Sequence, residues 1–333
     1  MTVEDLSKIN RIFILRLSSL GDILLSTPLI RAIKTQFPGI EIDMVVREEY
    51  ADTIRLNSYI NQKYFYSRND ELNNELLKSI ATKNYELVID LQNNFRSRKI
   101  ASAANSKTVR LKKKSLEKFL LVSFKINKLK NEPQIPVRYA GTIQGLTLDN
   151  NGIDLFTDRT PSDILLHKEK IIGLCPGARH CTKRWPKEYF IELGKLLSEK
   201  GYNIVLFGGK SDLELCKEIC DQIPGSINLS NNNDLLQIAA DMKKCSAIVC
   251  NDSGLMHVAS STKAKVITIF GSSVKEFGFT PYNSENLILE NNSLTCRPCS
   301  HIGKEYCPKK HFECMKEIKP SLVFNRVISF LNS

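Results

Sequence analysis

The feature that most constrains the fold is an alternation of short apolar runs with segments of helical spacing, which recurs along most of the chain. The apolar runs lie at residues 12–15, 40–46, 87–91, 171–174, 204–207, 247–250 and 266–270. Residues 23–37, 189–200 and 235–243 carry the spacing of helices between them, and 321–331 that of a closing helix. Strands that alternate with helices form parallel sheets. The chain is therefore predicted to be an α/β protein.

The length and composition indicate two globular domains. A chain of 333 residues can bury two cores, and the polar stretch 149–170 is predicted to be the linker. No apolar run reaches the ~18 residues of a membrane span, and the N-terminus lacks the pattern of a signal peptide, so a cytoplasmic protein is expected. The net charge of +11 indicates an acidic partner, but no nucleic-acid-binding motif accompanies it, so nucleic acid is not the expected partner.

The segment 251–258, Asn-Asp-Ser-Gly-Leu-Met-His-Val, follows an apolar strand and begins a helix. Free N–H groups at a helix start, together with the Ser253 hydroxyl, suit a phosphate or diphosphate. His257 lies about one turn after Gly254 and could face the same group. The alternative is an ordinary N-cap by Asp252 or Ser253 followed by a buried histidine.

Glycine-rich or polar turns follow three strands of the second half, after residues 174, 207 and 250. In an open α/β sheet these strand ends line one crevice, so a nucleotide with a diphosphate is the simplest ligand. Lys183 and Arg184 place positive charge beside it.

Asp22 lies where the first strand gives way to a helix. It could be a first-turn carboxylate that stabilises the helix dipole, or a carboxylate that accepts a proton from a substrate. The dipole makes the carboxylate a weaker base, so burial would be needed to raise its pKa. Asn94 and Arg96 follow the strand 87–91 and suit an anionic or sugar-like ligand, although a solvated loop is the alternative.

The segment 107–130 is basic and amphipathic, with lysines interspersed among leucine and phenylalanine side chains. It has the character of an ordinary surface helix or of a segment that rests on anionic lipid headgroups.

Four of the ten cysteines, Cys296, Cys299, Cys307 and Cys314, fall within nineteen residues. They could hold a structural zinc ion or be reduced thiols, and the scattered cysteines are expected to be small buried side chains.

Short motifs lie in order over most of the chain, at 19–22 (SLGD), 137–139 (VRY), 176–178 (PGA), 183–186 (KRWP), 206–208 (LFG) and 251–259 (NDSGLMHVA). Together they resemble the motifs of the GT-B glycosyltransferases of family 9, the lipopolysaccharide heptosyltransferases, and most closely those of the heptosyltransferase II type.

The resemblance implies two Rossmann-like domains whose parallel sheets face each other across a cleft. Residues 1–160 would bind the acceptor, and residues 161–333, with the closing helix, the nucleotide sugar. The implied reaction is an inverting transfer of heptose from ADP-heptose to the lipid A–core acceptor of lipopolysaccharide, at the cytoplasmic face of the inner membrane. The protein would be peripheral to that membrane.

The resemblance also implies residue roles. Asp22 falls on the family's general base, and no metal cofactor is required because fixed positive groups stabilise the departing ADP. The implied donor-binding residues are Lys183, Asp252, Ser253, Gly254, His257 and, near the adenine, Asn233. The implied acceptor-binding residues are Gly21, Asn94, Arg96 and Arg138.

The chain departs from the family pattern at Arg179, His180 and Cys181, where family members carry small hydroxyl or acidic residues. Two alternatives stay open. One is a GT-B glycosyltransferase with a different nucleotide sugar or acceptor, and the other is a non-catalytic basic protein that binds a membrane surface or nucleic acid.

Overall fold

A computed structural model describes all 333 residues, which form two compact units. The first unit comprises residues 1–114 and 133–156, and the second comprises residues 115–132 and 157–333. The division at residue 156 lies near the predicted boundary at 160. Residues 115–132 differ from the prediction and belong to the second unit, because Leu121 and Leu129 are buried against Phe277 there.

A five-stranded parallel sheet in the order β3-β2-β1-β4-β5 forms the centre of the first unit. Leu15 lies beside Val45 on one side and beside Asp90 on the other, so β1 is central and its end is flanked by β2 and β4. The strands are β1 (Arg11–Leu15), β2 (Glu41–Arg47), β3 (Gln62–Tyr66), β4 (Leu87–Asp90) and β5 (Lys107–Arg110).

The helices of the first unit are Val3–Leu6, Leu20–Leu24, Thr27–Gln36, Asp70–Ala81, Phe95–Ala103 and Ile135–Ala140, with a 3-10 turn at Glu48–Thr53. The single helix predicted over 23–37 is wrong, since two helices replace it. The Ser26 and Thr27 hydroxyls donate to the carbonyls of the preceding turn, and Pro28 has no N–H to continue the helical bonding. The break leaves Asp22 on a short helix of its own.

A six-stranded parallel sheet in the order β11-β10-β9-β6-β7-β8 forms the centre of the second unit. Its strands are β6 (Ile171–Cys175), β7 (Asn203–Leu206), β8 (Ile227–Asn228), β9 (Ala247–Asn251), β10 (Lys265–Phe270) and β11 (Asn286–Glu290). The chain runs from β6 to β7 on one side and returns to β9 on the other. The β6 and β9 ends therefore form a topological switch point, where open α/β sheets bind ligands.

The helices of the second unit are Ser115–Phe124, Lys187–Glu199, Leu213–Cys220, Leu235–Met242, Gly254–Ser260, Glu313–Lys316 and Pro320–Leu331. Short 3-10 turns lie at Asp163–Leu165, Cys181–Lys183, Lys210–Asp212 and Lys275–Phe277. None of the helices has both the length and the apolar character that crossing a membrane requires.

Candidate active site

Asp22 is held at the carboxyl end of β1 by three neighbours. The Ser19 N–H and hydroxyl donate to one carboxylate oxygen at 3.1 and 2.8 Å. The Arg16 guanidinium forms an ion pair with the other oxygen, and the Tyr139 hydroxyl lies 3.4 Å from it. Since its side chain is only 15% exposed, Asp22 has a fixed orientation with little water around it.

Burial alone would raise the pKa of the Asp22 carboxyl, but the Arg16 guanidinium and the Ser19 hydrogen bonds outweigh burial and hold that pKa below its ordinary value. The carboxylate is therefore ionised at neutral pH. Burial, and the nearby Asp22 charge, raise the pKa of the Tyr139 hydroxyl, which stays protonated. The arrangement offers an oriented carboxylate that can accept a proton from a hydroxyl.

Arg16 and Tyr139 are components of this site that sequence reasoning missed. Arg16 is buried, and it also donates to the Leu91 carbonyl at the end of β4, which joins two strand ends. Tyr139 lies 117 residues from Asp22 and reaches it from the helix Ile135–Ala140. The only signal for Tyr139 was its place in the VRY motif.

Of the predicted acceptor residues, Gly21 lies on the helix that follows β1, whereas Asn94 and Arg96 lie in the segment that follows β4. Gly21 is buried within the helix that carries Asp22. Asn94 caps the helix Phe95–Ala103, because its side chain accepts from the Ser97 N–H at 2.9 Å. Arg96 is exposed and lines a pocket of about 280 Å³. Gln92, just after β4, contacts the loop that follows β1, because its side-chain oxygen accepts from the Ser18 N–H at 3.2 Å.

Arg138 lies on the helix that carries Tyr139, and its Nε donates to the Pro133 carbonyl at 2.6 Å. The structure thus gives Arg138 a contact that fixes the start of this helix. Its role toward an acceptor stays a prediction.

A buried ion pair lies at the switch point of the second sheet. The Lys183 Nζ is 2.7 Å from Asp252 Oδ2, and the Ser273 hydroxyl donates to the same oxygen. Lys183 comes from the loop after β6, Asp252 from the end of β9 and Ser273 from the end of β10. Three neighbouring strand ends therefore combine to place one ammonium group and one carboxylate.

The loop that carries Lys183 is fixed by the side chain of Asn251, which is fully buried. The Trp185 N–H donates to Asn251 Oδ1 at 3.0 Å, and Asn251 Nδ2 donates to the Pro176 carbonyl at 2.8 Å. The Trp185 indole N–H is also bonded, to the Ile318 carbonyl at 2.8 Å. Lys183 thus extends from a loop that is bonded at both ends.

Ser253 is the N-cap of the helix Gly254–Ser260, and its hydroxyl is buried without a hydrogen-bond partner within the protein. The first N–H groups of the helix likewise have no intrahelical acceptor. An incoming anion could accept from both, whereas the predicted alternative of a side-chain cap is absent. His257 is buried in the same helix.

Asn233 closes the glycine-rich turn after β7. It has a φ of +68°, and its Oδ1 accepts from the Lys210 N–H at 2.8 Å. A Cβ at Gly209 would come within 2.6 Å of that oxygen, so a larger residue there would displace the Asn233 side chain. The structure gives Asn233 a role in the shape of this loop, and its contact with adenine stays a prediction.

The cysteine-rich segment supports the loops after β6 and β10. Sequence reasoning did not predict this support. Arg297 donates to the Gly271 and Ser273 carbonyls at 2.6 and 3.0 Å. The Thr182 N–H donates to the Lys304 carbonyl at 3.0 Å, and the Lys304 N–H donates to the Thr182 hydroxyl at 2.8 Å. The segment therefore braces the end of β10 and the residue before Lys183.

The four cysteines of the predicted zinc site are not arranged as a ligand set. No group of three or more His, Cys, Asp or Glu side chains is placed to hold a metal ion. Cys296 Sγ lies 3.8 Å from His311 Nε2, and burial raises the pKa of the Cys314 thiol to about 12. A structural zinc at these thiols stays a prediction.

Residues 74–310 match the model of glycosyltransferase family 9 (heptosyltransferase), and the chain belongs to this family. It is 30% identical to lipooligosaccharide heptosyltransferase 2 of Campylobacter jejuni, over 97% of this chain and 99% of that protein. Over about a third of each chain it is 40% identical to lipopolysaccharide heptosyltransferase 2 of Salmonella typhimurium.

Solved structures agree in fold. The E. coli ADP-heptose lipopolysaccharide heptosyltransferase II has a TM-score of 0.72 and 23% identity, with 96% of this chain and 98% of that chain covered. A family 9 glycosyl transferase from Veillonella parvula has a TM-score of 0.75 and 21% identity, with 97% of each chain covered. The predicted α/β fold of GT-B type and the prediction of a glycosyltransferase are confirmed.

Proposed function

We propose that the protein transfers heptose from ADP-heptose to the inner core of lipopolysaccharide, with inversion at the anomeric carbon. Full-length similarity to a lipooligosaccharide heptosyltransferase 2 supports the substrates. The observation that carries the chemistry is the Asp22 carboxylate, held ionised and oriented at the end of β1 by Arg16 and Ser19.

Asp22 is the proposed general base. The acceptor hydroxyl gives its proton to the carboxylate while its oxygen attacks the anomeric carbon of the heptose. One C–O bond forms as the C–O bond to ADP breaks, and the electron pair of that bond leaves on the diphosphate. Attack from the face opposite ADP inverts the configuration. Arg16 and Tyr139 position the carboxylate, and Gly21, Asn94, Arg96 and Arg138 are proposed to surround the acceptor.

The second unit is proposed to hold the donor. Lys183, the Ser253 hydroxyl and the free N–H groups at Gly254 would bind the diphosphate and stabilise the charge that develops on ADP. Asp252 orients Lys183, while His257 and Asn233 complete the proposed donor set. No divalent metal is required in this scheme, since the Asp252 carboxylate is already engaged by Lys183 and by Ser273.

The proposed acceptor is lipid A–core, so the enzyme is proposed to act as a peripheral protein at the cytoplasmic face of the inner membrane. Nucleic acid has no place in this scheme, and the basic charge is assigned to acidic groups of lipid and acceptor.

A panel of nucleotide sugars, with mass analysis of the extended acceptor, tests the donor. Of the donors in the panel, only ADP-heptose is expected to add the mass of one heptose to the acceptor. Asp22→Asn should fold and bind ADP but lose transfer by about 10²–10⁴-fold, because the amide cannot accept the proton. Asp52→Asn, which changes a partly exposed carboxylate of the same unit, serves as the control. Undiminished transfer by Asp22→Asn would remove Asp22 as the base.

One observation favours a second candidate, the same reaction with a different nucleotide sugar. His180 Nδ1 lies 3.2 Å from a Glu305 carboxylate oxygen, and Cys181 lies beside the same carboxylate. These are the positions at which the chain departs from the family pattern. Transfer from another nucleotide sugar in the panel, with no product from ADP-heptose, would favour this candidate.

A further inference from the structure

The helix Ser115–Phe124 presents an apolar face to solvent. Leu116, Phe119 and Phe124 are 66%, 56% and 62% exposed, and they lie within one side of the helix by their spacing. The charged residues Glu117 and Lys118, by contrast, are only partly exposed. This order is the reverse of an ordinary surface helix, whose charged side chains face water.

The apolar face is fixed in place by the rest of the segment. Leu121 and Leu129 are buried against Phe277 on the inner side of the helix. Lys125 Nζ donates to the Cys296 and Pro298 carbonyls at 3.1 and 2.7 Å. The outward leucine and phenylalanine side chains therefore belong to an anchored helix.

Exposed positive charge adjoins this face. Lys128 and Lys130 are exposed and follow the helix closely in the chain, and Ile126, which is 48% exposed, lies between the helix and these lysines in sequence. Apolar side chains that insert among lipids, beside lysines that meet headgroups, are the two requirements of a helix that lies on an anionic bilayer.

We propose that this docking face, defined as Leu116, Phe119, Phe124, Ile126, Lys128 and Lys130, binds the surface of a bilayer that contains anionic phospholipid. The proposal rests on the membrane location proposed above and specifies the surface that makes contact. An acidic protein partner fits less well, because the outward helix face is aromatic and aliphatic and the charge lies at one end.

Sedimentation of the full-length protein with vesicles tests the proposal. The wild type should bind vesicles of phosphatidylcholine with phosphatidylglycerol and not phosphatidylcholine alone. The triple variant Leu116→Ser, Phe119→Ser, Phe124→Ser should bind at least about tenfold more weakly, since the inserted apolar area is lost. Lys128→Gln with Lys130→Gln should weaken binding by about 25-fold, at about fivefold for each lysine.

The matched control is the triple variant Ile164→Ser, Leu166→Ser, Leu322→Ser. It removes three side chains of the same unit that are 53%, 48% and 48% exposed, and it should bind vesicles as the wild type does. Equal binding by the two triple variants, or equal binding to both kinds of vesicle, would overturn the proposal.

Two further measurements separate the remaining outcomes. If sedimentation velocity shows a wild-type dimer that the docking-face triple variant loses, the face binds a second copy and the proposal is overturned. Transfer to a delipidated, water-soluble acceptor should be equal in the wild type and the docking-face triple variant. That assay fails only if the proposed heptose transfer is wrong, whereas the vesicle assay fails only if the docking face is wrong.

Discussion

At the scale of single residues, two opposing effects decide the ionisation of Asp22, the proposed base. A buried carboxylate would ordinarily be protonated more easily, and Arg16 reverses this for Asp22. The proposed base is therefore a weak one that is ionised at neutral pH, and its advantage is orientation.

Replacing Arg16 should move the acid limb of the pH profile of transfer into a range that can be measured. With Asp22 as the proposed base, kcat/KM falls as pH drops through the pKa of this carboxyl, which Arg16 and Ser19 hold below its ordinary value in spite of burial. In Arg16→Met burial dominates, and the acid limb should move up by about 1–3 pH units. Profiles between about pH 4 and 8 measure it. Arg16→Lys keeps the positive charge and should retain a profile near that of the wild type. An unmoved limb in Arg16→Met would contradict the assignment.

Lys183 is predicted to contribute directly to donor binding, in addition to its ion pair with Asp252. Lys183→Met removes a charge-assisted contact, so ADP should bind about 10- to 100-fold more weakly by calorimetry. Lys187→Met is the matched control, because Lys187 lies four residues away and pairs with Glu218 at 2.7 Å near the surface. Equal losses in the two variants would argue against a diphosphate contact by Lys183.

The sequence predicted these residues unevenly, for a physical reason. Asp22 and Ser253 lie at the starts of helices that follow apolar strands, and the edge of a parallel sheet is a position that local pattern reveals. Tyr139 and Ser273 reach Asp22 and Asp252 through tertiary contacts, which have no period in the sequence. Arg297 was not predicted because it acts through carbonyl groups, which any residue type provides.

At the scale of elements, one buried amide is hydrogen-bonded to both ends of the loop 176–186. Asn251 is the last residue of β9. Its side chain gives the loop 176–186 hydrogen bonds that a strand would receive from its neighbour in the sheet. The apolar pattern predicted the strand, but it could not show that its last side chain supports another loop.

Asn251→Ala should therefore lower the free energy of unfolding by about 2–4 kcal/mol, because it leaves the Trp185 N–H and the Pro176 carbonyl buried without partners. Urea unfolding measures this, and ADP affinity should fall as well since Lys183 loses its support. Asn150→Ala, at an exposed position, should stay within about 0.5 kcal/mol of the wild type. A change of that small size in Asn251→Ala would show that the loop is held by other contacts.

At the scale of the whole molecule, the strand and helix alternation predicted both parallel sheets. It did not predict that residues 115–132 belong to the second unit, because the segment that follows β5 carries no sign of the unit against which Leu121 packs. The break between Leu24 and Thr27 was likewise hidden within a continuous apolar pattern.

Removing divalent metal ions should leave transfer unchanged. With fixed positive groups to stabilise ADP, kcat in the presence of a chelator should stay within about twofold of its value with Mg²⁺. Steady-state assays with and without the chelator measure this, and the melting temperature under the same conditions reports any structural zinc at the C-terminal cysteines. A large loss of kcat that Mg²⁺ restores would assign the diphosphate to a metal.

The bonds between Thr182 and Lys304 bear on how this enzyme could be redesigned. Gly303 has a φ of +122°, and a Cβ there would come within 2.6 Å of His180 Cβ, so the two chain segments are shaped to each other. A donor loop grafted from a relative would meet a mismatched partner. The segments 176–186 and 296–305 are far apart in the sequence but contact each other. They must therefore be exchanged together in any chimera.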